Sequence, residues 1–286
     1  MDGKEHYDRP LAIYNPVEHG PVTTDSGRDV GVTLLSVRSG CLWMLGYPEA
    51  SRTDGERAVN KAREIGHAAT LMFALFWASW FHMFYGHYAE AQSLLDELAA
   101  LADEKDATLV WKATEIVWRG ALFALTGKAS DAVRAITSGM TSLRSTGAAL
   151  YEPWHLWHLA MAYADLGQAD DARRCIDDAI AKVEKSKEKC FEAELHRVAG
   201  EVALKLSAPD TEKAEKHFER ALSVAHQQQQ KSYELRASTS LARLWRDQGK
   251  VQQARELLAP VYGWFTEGFD TRDLKEAKAL LDQLAL

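Results

Sequence analysis

Small, turn-forming and large apolar positions recur along the chain in one fixed frame, with polar stretches between them. A small residue is followed seven positions later by glycine, five later by alanine and four later by a large apolar side chain. Ser79, Gly86, Ala91 and Leu95 fill this frame once, and Gly120, Gly127, Ala132 and Ile136 fill it again. Ala160, Gly167, Ala172 and Ile176 make a third copy, and Ala242, Gly249, Ala254 and Leu258 a fourth. Ser39, Gly46 and Ala50 read as a further copy whose turn is one residue shorter. Successive glycines from 46 are 40, 41 and 40 residues apart, and the last gap of 82 is two steps of 41. A constant step of this size signals stacked supersecondary units in place of one globular core.

Each unit is predicted as helix A, a tight turn and helix B. The glycine stops helix A because it accepts a left-handed backbone without a steric penalty. The small residue and the alanine let the two helices approach closely, and the large residue fills the space beside them. One more copy keeps Gly200, Ala214 and Phe218 but replaces the turn glycine by residues 207–210, where Pro209 and Asp210 open a helix. The pattern predicts A helices near 31–45, 67–85, 108–126, 152–166, 190–206 and 232–248. B helices are predicted near 48–65, 88–104, 130–145, 169–186, 210–228 and 251–262. A last helix near 272–284, capped by Asp270, carries Leu274, Ala277, Leu280, Leu281 and Leu284 on one stripe and closes the array. Residues 11–16 read as the end of a B helix, and 15–30 as a Gly/Pro-rich connection. The expected organisation is therefore a leading segment over 1–30, six helix pairs over 31–264 and a cap over 265–286.

Composition narrows the function classes. A 47% hydrophobic and 26% charged chain is ordinary for a folded protein. Its net charge of −7 and pI near 5.8 argue against nucleic-acid or anionic-membrane partners. Cys41, Cys175 and Cys190 are scattered, which reads as reduced thiols in the cytoplasm. Residues 1–30 are polar and carry no recognisable signal segment. The apolar run 71–85 falls short of the roughly 20 residues a spanning helix needs and lies where the frame requires a buried helix.

Candidate chemistry is sparse. Gly127-Lys128 fails as a phosphate loop because Leu122 and Ala129 stand where glycine and a hydroxyl are required. His155 and His158 share a helix face but have no carboxylate neighbour to complete a metal site. No nucleophile sits beside a base, so no catalytic residue, metal or cofactor is expected.

Helix pairs with small, glycine, alanine and large apolar residues in these slots resemble tetratricopeptide (TPR) repeats. The longer step implies helices lengthened by about a turn relative to the usual 34-residue repeat. Segments 29–50 (DVGVTLLSVRSGCLWMLGYPEA), 125–140 (LTGKASDAVRAITSGM) and 241–284 are similar to the C-terminal helical region of large bacterial proteins. Those proteins join a class III adenylate/guanylate cyclase domain to a STAND-type ATPase and then to a TPR array. Neither upstream domain lies within these 286 residues, and no catalytic residue of that family maps onto them. The resemblance implies an all-α, right-handed TPR-like superhelical solenoid serving as a bacterial regulatory module.

In TPR superhelices the A helices line the concave wall. The inward slots map to Trp43, Phe76, Trp80, Met83, Trp154 and Trp157, and then to Arg197, Arg236, Arg243 and Arg246. Such a wall suits an amphipathic acidic protein segment or an anionic small-molecule effector. Three alternatives stand beside it. The aromatics belong to the helix–helix core, the arginines pair internally with Glu201, Glu234 or Asp247, or the aromatics are covered by a missing N-terminal repeat or by a second copy of the chain as a homodimer. The expected function is a non-catalytic scaffold or sensor acting with a cyclase or ATPase domain. The competing readings are a separated fragment of an adenylate cyclase polypeptide and a homo-oligomerisation element.

Overall fold

A computed structural model describes residues 27–105, 107–205 and 208–285. The expected helix end at 11–16 lies outside them. Among the described residues the structure is all helical, without a strand. The chain runs through α1 (Val30–Leu45), α2 (Pro48–Ile65), α3 (Ala68–Tyr85), α4 (Tyr88–Glu104) and α5 (Leu109–Leu125). It continues through α6 (Ala129–Ser145), α7 (Glu152–Asp165), α8 (Ala169–Ser186) and α9 (Glu192–Lys205), the last preceded by a 3-10 turn at Lys189–Phe191. Then come α10 (Thr211–Gln227), α11 (Lys231–Asp247), α12 (Val251–Gly263) and α13 (Arg272–Gln283). Odd-numbered helices take the A role and even-numbered ones the B role as far as α12.

The turns explain the hairpins. Gly46, Gly86, Gly127, Gly167 and Gly249 all have φ between 73° and 95°, in the left-handed region. The Gly46 and Gly86 N–H groups donate back to the last-turn carbonyls of α1 and α3, stopping each helix. The alanines five residues on, Ala91, Ala132, Ala172 and Ala254, are fully buried at the helix crossings. In the first hairpin the structure corrects the sequence reading. Ser51, five residues after Gly46, is fully buried and takes the alanine slot, so this turn is not shorter than its siblings. Serine fits because its Oγ donates to the Ser39 carbonyl at 2.6 Å, while the Ser39 Oγ donates to the Ser51 carbonyl at 2.8 Å.

Contacts divide the chain into two compact units, 1–115 and 116–286, where the sequence reading runs one array from 31 to 264; the division falls inside α5. In the first unit, α3 packs on α1, α2 and α4 and is apolar on nearly every face. It is the one described helix long and apolar enough to cross a membrane, and 72% of it is buried inside the fold. Trp43 stacks on Phe84 with ring centroids 4.2 Å apart. Trp80 lies among Phe76, Trp77, Phe81 and Phe84. Trp43, Phe76, Trp80 and Met83 are all buried. Their assignment to an open binding wall is thereby corrected: these side chains fill the space between neighbouring helices, where burial of a large aromatic removes the most apolar surface from water.

The second unit repeats the arrangement. Trp154 stacks on Trp118 at 4.3 Å and is buried, so it too belongs to the core and not to an exposed wall. Asp210 caps α10 by accepting the Lys213 N–H at 2.9 Å. The last helix packs its Leu274, Ala277, Leu280 and Leu284 stripe onto α11 and α12. Its N-cap is Thr271 and not Asp270; the Thr271 hydroxyl donates to the Gly268 carbonyl at 2.7 Å.

Candidate ligand-binding site

Within the second unit, successive A helices and α13 converge on a cavity of about 210 Å³. On α7 the half-buried Met161 lines it, beside the buried side chains of Trp157 and His158. Arg197 and Glu194 come from α9, Arg236, Thr239, Ser240 and Arg243 from α11, and Arg272, Asp273 and Glu276 from α13. The spacing of Arg236, Thr239, Ser240 and Arg243 puts all four on one face of α11.

The charged groups form an alternating chain. Glu201 and Glu194 hold Arg197 at 3.1 and 2.8 Å. Glu194 also receives Arg236 at 3.0 Å, and Arg236 lies 3.7 Å from Asp273. Asp273 then pairs with Arg272 at 3.1 Å, Arg272 with Glu276 at 3.6 Å, and Glu276 with Arg243 at 3.5 Å. Ser240 ties the first end, donating to Glu201 at 2.6 Å and accepting from Arg197 at 3.3 Å. Four guanidinium groups thus face four carboxylates, and the basic section expected from the sequence is charge-balanced.

Burial grades this chain from locked to exchangeable. Glu194 and Arg236 keep 2% and 10% of their side-chain exposure, whereas Arg243 and Glu276 keep 41% and 50%. Burial alone would lower the Arg197 pKa, but Glu194, Glu201 and Asp273 outweigh it and hold it above its ordinary value. Burial would raise the Asp273 carboxyl, and Arg236, Arg272 and Arg197 instead hold it below the usual carboxylate range. Burial and the neighbouring Arg236 push His158 well below the usual imidazole range. At neutral pH His158 is therefore neutral and Asp273 ionised, and neither is poised to shuttle protons.

Four of the ten residues proposed from the sequence, Trp157, Arg197, Arg236 and Arg243, line this cavity. Arg246 lies outside it, bonded to Asp247 and to the Gln283 side-chain oxygen. Of the internal acids proposed as partners, Glu201 and Asp247 are engaged as expected, while Glu234 pairs with Lys231. Sequence reasoning missed Glu194, Arg272, Asp273 and Glu276. For Arg272, Asp273 and Glu276 the signal is the charged flank of α13 beside its leucine stripe; for Glu194 it is the three-residue spacing to Arg197 on α9.

Burial pushes the Cys41 and Cys175 thiols up to about 11, away from the nucleophilic thiolate. No cluster of three metal-ligating side chains occurs among the described residues.

Two segments, 153–178 and 235–260, match the model of the tetratricopeptide repeat family. They cover most of α7 with part of α8, and most of α11 with most of α12. No curated protein sequence matches the chain. Among solved structures, a Rap protein complexed with Competence and Sporulation Factor is similar with a TM-score of 0.69 and 12% identity, over 98% of this chain and 76% of that one. The apo form of RapI aligns with a TM-score of 0.60 and 13% identity, over 98% and 91%. NprR in complex with its cognate peptide NprX aligns with a TM-score of 0.54 and 12% identity, over 89% and 72%. At such identities the likeness concerns the fold, an all-α TPR-like array of helix hairpins.

Proposed function

We propose that the chain is a non-catalytic recognition module and that the cavity of the second unit takes an extended segment of a protein or peptide bearing a carboxylate side chain. The observation that carries this reading is the gradient along the charge chain. Arg236 is committed between two buried acids, but Arg243 is half exposed and held by Glu276 at 3.5 Å. A ligand carboxylate can displace Glu276 from Arg243 without unpairing a buried charge, and the freed Glu276 can accept a donor from the same ligand. Met161, beside the buried Trp157, supplies an apolar surface for the neighbouring side chain. Support also comes from fold relatives whose structures contain a cognate peptide or a named factor. The resemblance of segments 29–50, 125–140 and 241–284 to cyclase–ATPase fusion proteins supports a place for this module in bacterial nucleotide signalling.

Panning a random heptapeptide library against the immobilised protein tests the reading. Enriched peptides should carry Asp or Glu and lose about tenfold or more in affinity against Arg243→Glu. Arg246→Glu, outside the cavity, should leave their binding unchanged. Peptides that bind Arg243→Glu as well as the parent protein, or no enrichment at all, would remove the cavity from consideration.

A further inference from the structure

Besides Ser51, the hairpin of α1 and α2 departs from its siblings at a second position. Nine residues after each turn glycine the other hairpins place Leu95, Ile136, Ile176 or Leu258, and Phe218 takes the equivalent slot in the hairpin of α9 and α10. Nine residues after Gly46 stands Gly55. A Cβ built there would meet only the Ser39 Oγ, at 3.4 Å, so the space a large side chain fills elsewhere is open. A cavity of about 220 Å³ occupies it, with Gly55, Val59, Ala78, Phe81 and Leu94 on its walls and the polar side chains of Arg52, Glu56, Asn60 and Arg63 also lining it.

Its floor is polar, and its hydrogens can be counted. The Ser39 hydroxyl donates to the Ser51 carbonyl and the Ser51 hydroxyl to the Ser39 carbonyl. The Ser51 Oγ lies 2.6 Å from the Tyr85 oxygen, so the Tyr85 hydroxyl must be the donor in that contact. All three hydroxyl hydrogens are spent, and the Tyr85 oxygen, which also lies beside the Ser39 side chain, retains the capacity to accept one more bond. On the same wall the Nδ1 of His82 is shielded from water without a hydrogen-bond partner. Burial, then the neighbouring His87, lowers His82 to about 4, so the ring is neutral at pH 7.

We infer that this cavity is a binding site for a small neutral compound consisting of one aromatic ring with a hydroxyl or N–H donor. Its ring occupies the space left by Gly55 against Phe81 and Val59, and its donor hydrogen goes to the Tyr85 oxygen. The volume suits one ring: an apolar cavity of about 150 Å³ accepts benzene. The site lies wholly in the first unit and is independent of the peptide reading.

Phenol is the probe and toluene its donor-free control, with binding to the full chain followed by ligand-observed NMR. Phenol should bind saturably and about fivefold more tightly than toluene, the factor one hydrogen bond supplies. Tyr85→Phe should bring phenol down to the toluene level and leave toluene unchanged. Gly55→Leu, which restores the side chain present in the other hairpins, should abolish binding of both, and Leu94→Trp, narrowing the cavity from α4, should weaken both. N-acetyltyrosinamide, whose backbone needs room beyond the rim, should bind more weakly than phenol; tighter binding would point to a partner's tyrosine and overturn assignment to a free compound. Absence of saturable phenol binding, equal affinity for phenol and toluene, or undiminished binding by a folded Gly55→Leu protein would overturn the site itself.

Discussion

The Nη2 of Arg236 lies 3.0 Å from the Oε1 of Glu194, joining α11 to α9 where both side chains are nearly closed off from water. Removing one partner strands the other as a buried charge, which costs far more than the pair itself contributes. Arg236→Met is therefore expected to destabilise by about 3–5 kcal/mol. Arg243→Ala, at the exposed end of the same chain of charges, should cost under about 1 kcal/mol. Chemical denaturation of the two variants checks the contrast. Equal losses would mean that burial does not grade this network.

A second prediction concerns Gly120, the small residue of the hairpin formed by α5 and α6. A Cβ there would stand 2.7 Å from the Ile136 Cγ1 and 2.9 Å from the Ile136 backbone nitrogen. A side-chain tip can rotate away, but the helix backbone cannot, so α5 and α6 would have to separate. Gly120→Ala should destabilise by about 1–3 kcal/mol although alanine is the better helix former. A variant that melts at or above the parent temperature would refute the close approach.

The same arithmetic gives the opposite sign at Gly55. It sits inside α2 with its nearest neighbour, the Ser39 Oγ, at ordinary contact distance, so Gly55→Ala should gain the helix-propensity difference of about 1 kcal/mol. Thermal unfolding of Gly55→Ala beside Gly120→Ala makes the comparison internal. A loss at Gly55 would show that the cavity wall does not tolerate even a methyl group.

Gly120 and Gly55 also show how far the residues announce the structure. The fold was legible because each hairpin requires a left-handed turn and a close crossing, and few residue types satisfy either, so glycine and alanine recur at fixed spacing. Serine at position 51 escaped notice because hydrogen bonding to Ser39 lets it serve where alanine is usual. The binding surface was less legible. Large aromatics such as Trp80 and Trp154 satisfy a buried seam and an exposed wall equally well on one helix, and only the packing of the next helix decides between them. Arg197, Arg236 and Arg243 line the cavity. Their neutralisation by Glu194, Asp273 and Glu276 depends on contacts between helices 40 or more residues apart in places, such as Arg236 with Glu194, which local spacing does not encode.

The last prediction is an acid sensitivity set by buried histidines. Burial, followed by the nearby Arg144, lowers His155 to about 3; burial, followed by Arg236, lowers His158; and burial, followed by His87, lowers His82 to about 4. In the unfolded chain these rings titrate near 6.5, so below that pH the unfolded state binds protons that the folded state refuses. The contribution of each neutral ring is fully present above pH 6.5 and erodes by about 1.4 kcal/mol per pH unit as the pH falls toward the folded value. Between pH 7.5 and 5.5 these three rings should remove roughly 4 kcal/mol; His196, lowered to about 4 by burial and then by His217, adds about 1.4 kcal/mol, and His217, lowered by burial and then by Lys213, acts in the same direction. Asp273, held low in the folded state by Arg236 and Arg272 against the effect of burial, keeps its contribution through this window and loses it only at more acidic pH. Replacing His155, which is enclosed by Trp118 and Trp154, with Phe removes one titrating ring while keeping the aromatic packing. The fall in stability over the same interval should then shrink by about 1.4 kcal/mol, roughly a quarter. Denaturation midpoints measured from pH 7.5 to 5.5 decide the matter: an unchanged slope in His155→Phe, or a flat profile in the parent, would show that these rings do not control the acid limb.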